Sequence, residues 1–370
     1  ARKQRKNRDM SDFAERLIHW QQQHGRHALP WQDTQDPYRI WLSEIMLQQT
    51  QVDTVIPYYA RFLERFPDLA SLAGAAVDEV MTHWSGLGYY ARARNLHRAA
   101  QAIVESHGGH FPRTAAEIAT LPGIGRSTAA AIAAFAFGER AAILDGNVKR
   151  VLTRLFGVEG FPGEKRVETQ LWALAESLLP TRELGRYTQA QMDLGATLCT
   201  RSKPACMRCP FADDCVARRD GRVGELPTPR PKKTVPRRSA RYAIIIHEHA
   251  VLLERRPPAG IWGGLLTPPE IPATAPDGGV WAQQHLGLAC APARALASLT
   301  HTFTHFVLEL QPVLLHASTP TCTLIADDGA LRWHALADLA DAALPAPMRK
   351  ILDALAAPDL FDGAHAINTG

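Results

Sequence analysis

Between Leu226 and Arg238 the chain reads LPTPRPKKTVPRR, with four prolines and five basic residues. Proline removes a backbone donor and fixes φ, so neither a helix interior nor a central strand can run through this stretch. It reads as a semi-rigid connector, and the residues on either side of it must fold around separate cores. A chain of 370 residues has length for two or three domains at about 100–200 residues each.

The two sides differ in periodicity. From about Ser11 to Arg222 apolar residues recur three and four apart, as in Phe13/Leu17/Trp20 and Ile40/Leu42/Ile45/Met46. Gly and Pro interrupt the pattern often, so the helices should be short. After the connector, Arg241–Leu253 is β-branched and aromatic, with a turn near Glu248–Ala250, and reads as a hairpin. Thr302–Leu315 is a second strand-rich region, and Trp281–Leu286 and Pro347–Ala356 read as helices. The expected architecture is a mainly helical region over 1–225, a basic linker over 226–241 and an α+β domain over 242–360. Residues 361–370 form a frayed tail.

Charge follows the same division. Residues 226–241 carry six basic side chains and no acidic one, whereas 242–370 carry six basic against twelve acidic. The net charge of +4 thus combines a strongly basic joint with an acidic C-terminal part, a distribution that suits a polyanionic partner or a solvated linker equally. No stretch approaches the roughly 20 apolar residues of a membrane span. The basic start is followed by no apolar segment of the kind a secretory signal needs. Six cysteines are too few for a disulfide scaffold in a chain this long.

Four of them, Cys199, Cys206, Cys209 and Cys215, stand at C-x6-C-x2-C-x5-C. Thiolates this close suit zinc or an iron–sulfur cluster, and the spacing alone leaves both open. Cys290 and Cys322 have no such neighbours and read as small core hydrophobes. Leu121-Pro-Gly-Ile-Gly-Arg-Ser-Thr128 lies between two helical stretches. Gly123 and Gly125 allow a tight turn and close approach to a phosphate, although many αα turns look the same. Glu44 sits on an apolar helix just ahead of Gln48 and Gln49; an ordinary solvated glutamate is its plainer reading, whereas apolar surroundings would raise its pKa enough for it to donate a proton. Asp145 precedes a helix in Ile143-Leu-Asp-Gly-Asn147-Val-Lys149-Arg150, the place of an N-cap. One acid and one ionised carboxylate are what cleavage through an oxocarbenium-like transition state needs, provided that the fold brings them together.

LSEIMLQQTQV, GLGYYARARNLH (86–97), LPGIGRSTA, ILDGNVKR and the four-cysteine loop occur in one order, and together they resemble the helix-hairpin-helix DNA glycosylases, in particular the adenine-excising branch. The resemblance implies a six-helix module at about 30–140 and a cluster module made of the N-terminus with about 141–225. It also implies a 4Fe–4S cluster on Cys199, Cys206, Cys209 and Cys215. The implied partner is double-stranded DNA with adenine opposite 8-oxoguanine or guanine, bound by a monomer inside the cell. In this pattern Glu44 protonates adenine, Asp145 stabilises the sugar cation, and Asn147 orients the site. Gln48, Gln49 and Tyr89 act in the base stack, while Gly123, Gly125, Ser127 and Lys149 lie along the DNA. Ser127 stands where the lyase branch has a lysine, and a hydroxyl cannot form the Schiff base on which strand cleavage depends.

Pro257-Pro-Ala-Gly-Ile-Trp-Gly-Gly264-Leu265 resembles the opening of a Nudix domain. Its helix has Gln284 and His285 where the active members of that family carry glutamates, so a Mg²⁺ site is not expected. The family pattern instead assigns Phe303, Thr304 and His305 to reading 8-oxoguanine. Three rivals follow from the same residues: a bifunctional lyase, a non-catalytic iron–sulfur lesion binder, and a nucleotide pyrophosphatase.

Overall fold

A computed structural model describes residues 12–231, 235–257, 260–275, 277–303, 305–319 and 331–356. Thr304, Cys322, the middle of the basic connector and the tail therefore lie outside the described residues. The chain divides into two compact units, Ala1–Ala75 with Asn95–Lys232 and Ala76–Arg94 with Lys233–Gly370.

The first unit is helical. It contains α1 (Phe13–His24), α2 (Pro37–Leu47), α3 (Val52–Arg65) and α4 (Leu69–Gly74). Past α5 (Val77–Trp84), which belongs to the second unit, come α6 (Ala91–His107), α7 (Ala115–Ile118), α8 (Arg126–Phe137) and α9 (Gly146–Phe156). They are followed by α10 (Lys165–Ser177), α11 (Leu184–Asp193) and α12 (Val216–Arg219).

Local chemistry sets several of these boundaries. Asp36 caps α2 through Tyr38 N–H, with Pro37 at the first helical position. Thr114 and Glu117 form a capping box on α7. Gly138 and Gly157 close α8 and α9 in the left-handed region.

One buried cluster joins Phe13, Leu17 and Trp20 of α1 to Val148 and Leu152 of α9, Leu171 of α10 and Tyr187 of α11. Inside the same unit α2 packs on α8, with Trp41, Leu42 and Met46 fully buried. The start of the chain is locked to much later residues by polar contacts. Asp193 is wholly buried and accepts from the Arg26 backbone N–H at 3.0 Å, from Arg26 Nε at 2.7 Å and from Gln189 at 2.9 Å. Arg16 likewise reaches Asp214 at 2.9 Å.

The C-terminal part of the second unit is a mixed sheet with strand order β3-β2-β1-β7-β5. Its strands are β1 (Arg237–His247), β2 (Ala250–Arg255), β3 (Leu266–Thr267), β4 (Glu270–Ile271), β5 (Arg294–Ala295), β6 (Leu299–Thr302), β7 (Val307–His316) and β8 (Leu331–Ala335). The hairpin expected near 241–253 is β1–β2, with His247 opposite Ala250. β1 also runs parallel to β7 from Arg237↔Val307 to Ile246↔His316, so the last residues of the basic stretch are already strand. Tyr242–Ile246 is buried throughout, the pattern of a central strand covered on both faces. The helix α13 (Gly278–Leu286) packs Trp281, Ala282 and Leu286 against Ala243, Ile245 and Leu315. The last described helix is α14 (Ala346–Ala356). No helix among the described residues is long and apolar enough to cross a membrane.

Candidate active site and cluster loop

A cavity of about 1450 Å³ opens in the first unit. Glu44, Gln48 and Gln49 reach it from the end of α2, Ser127 from the start of α8, and Asp145, Asn147 and Arg150 from the start of α9. The carboxylates separated by about a hundred residues in the chain therefore meet. Burial pushes the Glu44 carboxyl up to about 8, and the charge of Asp145 adds to the rise.

Asp145 is the N-cap of α9 and accepts from Val148 N–H at 2.8 Å, while the Asn147 amide donates to its other oxygen at 3.1 Å. Burial raises this carboxyl too, but those two hydrogen bonds and the nearby Arg150 guanidinium oppose the rise. Asp145 is thus equipped to ionise first, and its charge then keeps the proton on Glu44. Asp145 is thus the N-cap that the sequence offered, and the same side chain lines the cavity.

Two residues that periodicity did not single out support this corner. Arg150 donates to Asn147 Oδ1 at 2.8 Å, Gly195 O at 2.7 Å and Cys199 O at 2.8 Å. Gly195 lies in the π-helical turn Leu194–Leu198, and a Cβ built there would come within 2.5 Å of Asn147 Cβ. The only sequence signal for Arg150 is its place one turn after Asn147. For Gly195, a lone glycine in a helical stretch marks a close approach. Gly195→Ala should push Asn147 off Asp145, slowing any reaction at the site and costing about 1–3 kcal/mol in a urea melt. A variant with wild-type melt and rate would show that this approach can relax freely.

Several other predicted residues are placed plainly. The Ser127 hydroxyl accepts from Leu144 N–H at 2.9 Å. Gln48 donates to the Thr128 hydroxyl at 3.4 Å. Gln49 is exposed at the cavity rim with φ +58°, a left-handed backbone that side chains rarely adopt. Gly123 has φ +78° and no room for a Cβ against Asn95, whereas Gly125, the N-cap of α8, has open space in front of it. Lys149 is paired with Glu168 at 2.6 Å.

In the second unit, Tyr89 is 52% exposed with φ +49°. Phe303 stacks on Phe306 at 4.7 Å and meets His301 edge-on at 4.6 Å, and His305 is exposed beside it. Gln284 and His285 lie on α13, where the His285 ring stacks on Trp281.

The four clustered cysteines follow the π-helical turn. Cys199 ends it, Cys206 opens a 3₁₀ turn that Cys209 closes, and Cys215 caps α12. Burial pushes the Cys209 thiol up to about 11, and Cys199, Cys215 and Cys206 each add to the rise, so the four sulfurs share one neighbourhood. Arg154, 3% exposed on α9, holds the loop through Thr200 O at 2.7 Å and lies 3.4 Å from Cys199 Sγ. A set of four soft thiolates on loop backbone suits an iron–sulfur cluster.

Comparison with known proteins agrees with this arrangement. Residues 42–177 match the HhH-GPD superfamily of base excision DNA repair proteins, 199–215 the iron–sulfur binding domain of endonuclease III, and 241–354 the NUDIX domain. An adenine DNA glycosylase of Buchnera aphidicola is 36% identical over 92% of this chain and 97% of its own length. The human adenine DNA glycosylase is 34% identical over 93% of this chain and 74% of its own. A thermostable thymine-DNA glycosylase superposes with a TM-score of 0.53 at 30% identity, covering 58% of this chain and 98% of that one. The choice between zinc and iron left open by spacing is settled by these matches in favour of a 4Fe–4S cluster.

Proposed function

The chain belongs to the adenine DNA glycosylases of the helix-hairpin-helix superfamily, and from that premise we propose that it removes adenine paired with 8-oxoguanine or guanine, with Glu44 as the acid and Asp145 as the countercharge. It is an N-glycosylase of base excision repair, and its partner is duplex DNA. The observation that carries the mechanism is the meeting of two carboxylates in one cavity, in environments that separate their proton affinities.

The reacting bond is out of reach inside a duplex, so adenine must leave the stack and enter the cavity between α2, α8 and α9. Glu44, protonated near neutrality, donates to adenine N7 and makes the base a neutral leaving group. The Asp145 carboxylate, fixed by Val148 N–H and Asn147, is the countercharge for the positive charge that grows on the sugar. Water completes the hydrolysis, and the Ser127 hydroxyl offers no amine for a lyase step.

Gln49 and Tyr89 would fill the space that adenine leaves, and strained, exposed side chains of this kind are typical of functional positions. The open backbone at Gly125 and the following helix start would take a phosphate, with Gly123 shaping the turn. Cys199, Cys206, Cys209 and Cys215 would hold the cluster, on the loop whose carbonyls Arg150 and Arg154 grip. In the second unit, Phe303, Thr304 and His305 would read 8-oxoguanine.

The test is single-turnover adenine release from duplexes with A opposite 8-oxoguanine, G or T. Release should be fastest from the first, slower from the second and absent from the third. No release from A opposite 8-oxoguanine would end this reading. Nicked rather than abasic product would favour a lyase.

A further inference from the structure

Tyr89 does not hold its strained backbone alone. Gly86, Gly88 and Tyr89 all have positive φ, and the turn they form is tied down from within. The Trp84 indole donates to Gly88 O at 3.2 Å, and Arg92 donates to Leu87 O and Gly88 O at 3.2 and 3.0 Å. The Arg92 guanidinium also lies 5.5 Å from the Tyr89 ring centre.

The remaining ties come from the sheet portion of the same unit. The Tyr90 hydroxyl accepts from Gly86 N–H at 3.3 Å and donates to Leu344 O at 3.2 Å. Arg94 donates to Gly263 O, and Arg255 pairs with Asp78 at 2.8 Å. Arg349 binds Ala342 O at 2.6 Å and reaches the Ser85 hydroxyl at 3.5 Å.

These anchor points connect directly to the Phe303 loop. Gly263 follows Trp262, whose ring is 5.6 Å from that of Phe303 and 5.9 Å from that of His301. Trp262 itself has φ +54°, another non-glycine residue in the left-handed region. Leu344 follows Ala343, whose carbonyl accepts from Leu266 N–H at 3.0 Å at the far end of the Trp262 loop. Tilted aromatic contacts, one tight loop and two side-chain hydrogen bonds, from Tyr90 and Arg94, therefore link Phe303 to the turn that presents Tyr89 and to the helix that follows it.

We propose that Tyr90 and Arg94 are positioning residues through which the aromatic pair His301 and Phe303 sets the posture of Tyr89, so that lesion contact on the sheet side firms the turn that enters the base stack. This rests on the reading that Phe303 and His305 meet 8-oxoguanine and that Tyr89 enters the duplex. A guanine offers the loop no lesion to grip, so the link acts on one substrate and lies idle on the other. The hydrogen bonds matter because a turn with three positive φ values in four residues, one of them at a tyrosine, has few local reasons to stay in one shape.

The test is a double-mutant cycle of Tyr90→Phe and Tyr89→Ala, followed by single-turnover adenine release from A opposite 8-oxoguanine and A opposite G. Tyr90→Phe keeps the ring and loses only the hydroxyl. It should slow release opposite 8-oxoguanine about 10- to 100-fold, as the loss of its two hydrogen bonds would, and leave release opposite G unchanged. With Tyr89 already Ala, it should cost nothing further. Arg94→Met should repeat the pattern. Equal slowing on both duplexes, additive losses in the cycle, or no change at all would overturn the link. A wild-type enzyme with no preference for 8-oxoguanine would sink the underlying reading as well, and that result is seen before any variant is made.

Discussion

Glu44→Gln should abolish adenine release while the protein still binds its mismatched duplex. Glutamine has nearly the shape of glutamate and no transferable proton, so binding contacts survive and only the acid is lost. General acid catalysis is worth about 10²–10⁴-fold, and because Glu44 is also the candidate for activating water, the loss should lie at or above the upper end. A fall of less than tenfold in single-turnover release would remove Glu44 from the mechanism.

Two pH effects accompany that loss. With Glu44 as the proposed acid, only its protonated form would act, so the wild-type rate should fall as pH rises through about 8. Stability should show the same group. An unfolded glutamate releases its proton near 4.3, whereas the folded one holds it to about 8. Across that window the folded state binds more protons than the unfolded state, and stability therefore declines as pH rises. Glu44→Gln removes the titration. Its Tm should draw ahead of wild type from about pH 5 to pH 8, and identical Tm profiles would mean that Glu44 is an ordinary solvated acid.

Asp145 carries the second large effect, and two substitutions separate its two duties. Asp145→Asn keeps a side-chain oxygen for Val148 N–H, so α9 stays capped. The proposed countercharge is gone, and release should fall by about 10²–10³-fold, the size of a lost transition-state contact. Asp145→Ala should lose the activity and, in addition, about 1 kcal/mol of stability from the missing cap. An Asn variant as active as wild type would leave Asp145 as a cap only.

Much of this was legible in the chain. The proline run, the loss of helical periodicity after it and the β-branched hairpin anticipated a helical part and a sheet part. LDGN announced an N-cap because Asp before a helix start is a local signal. What the residues could not show was contact at a distance. Glu44 looked like a solvated helix acid until α2 met α8 and α9. Arg150 and Gly195 gained meaning only when the turn at 194–198 closed on Asn147. Gln49 and Tyr89 carry a backbone shape that neither residue type prefers, and local preference points away from it. That Ala76–Arg94 packs with the C-terminal unit has no periodic signature either, since its apolar face is the same whichever body it covers.

The polar lock between the start of the chain and its later helices has a consequence for synthesis. Arg26 meets Asp193 across 167 positions and Arg16 meets Asp214 across 198. At about 5–20 residues per second, α1 emerges from the ribosome roughly 10–40 s before its last partner is made. During that time Phe13, Leu17 and Trp20 lack Tyr187 and Phe211, the late members of their cluster, while α2 and α8 can already associate. The apolar stripe of α1 is thus only partly covered until α11 and Phe211 follow. Cys199, Cys206, Cys209 and Cys215 emerge in the same late interval, so α1 docking and cluster insertion close the same part of the molecule nearly together. Slowing translation between 30 and 190 would lengthen the exposure of α1 without altering one contact of the finished enzyme.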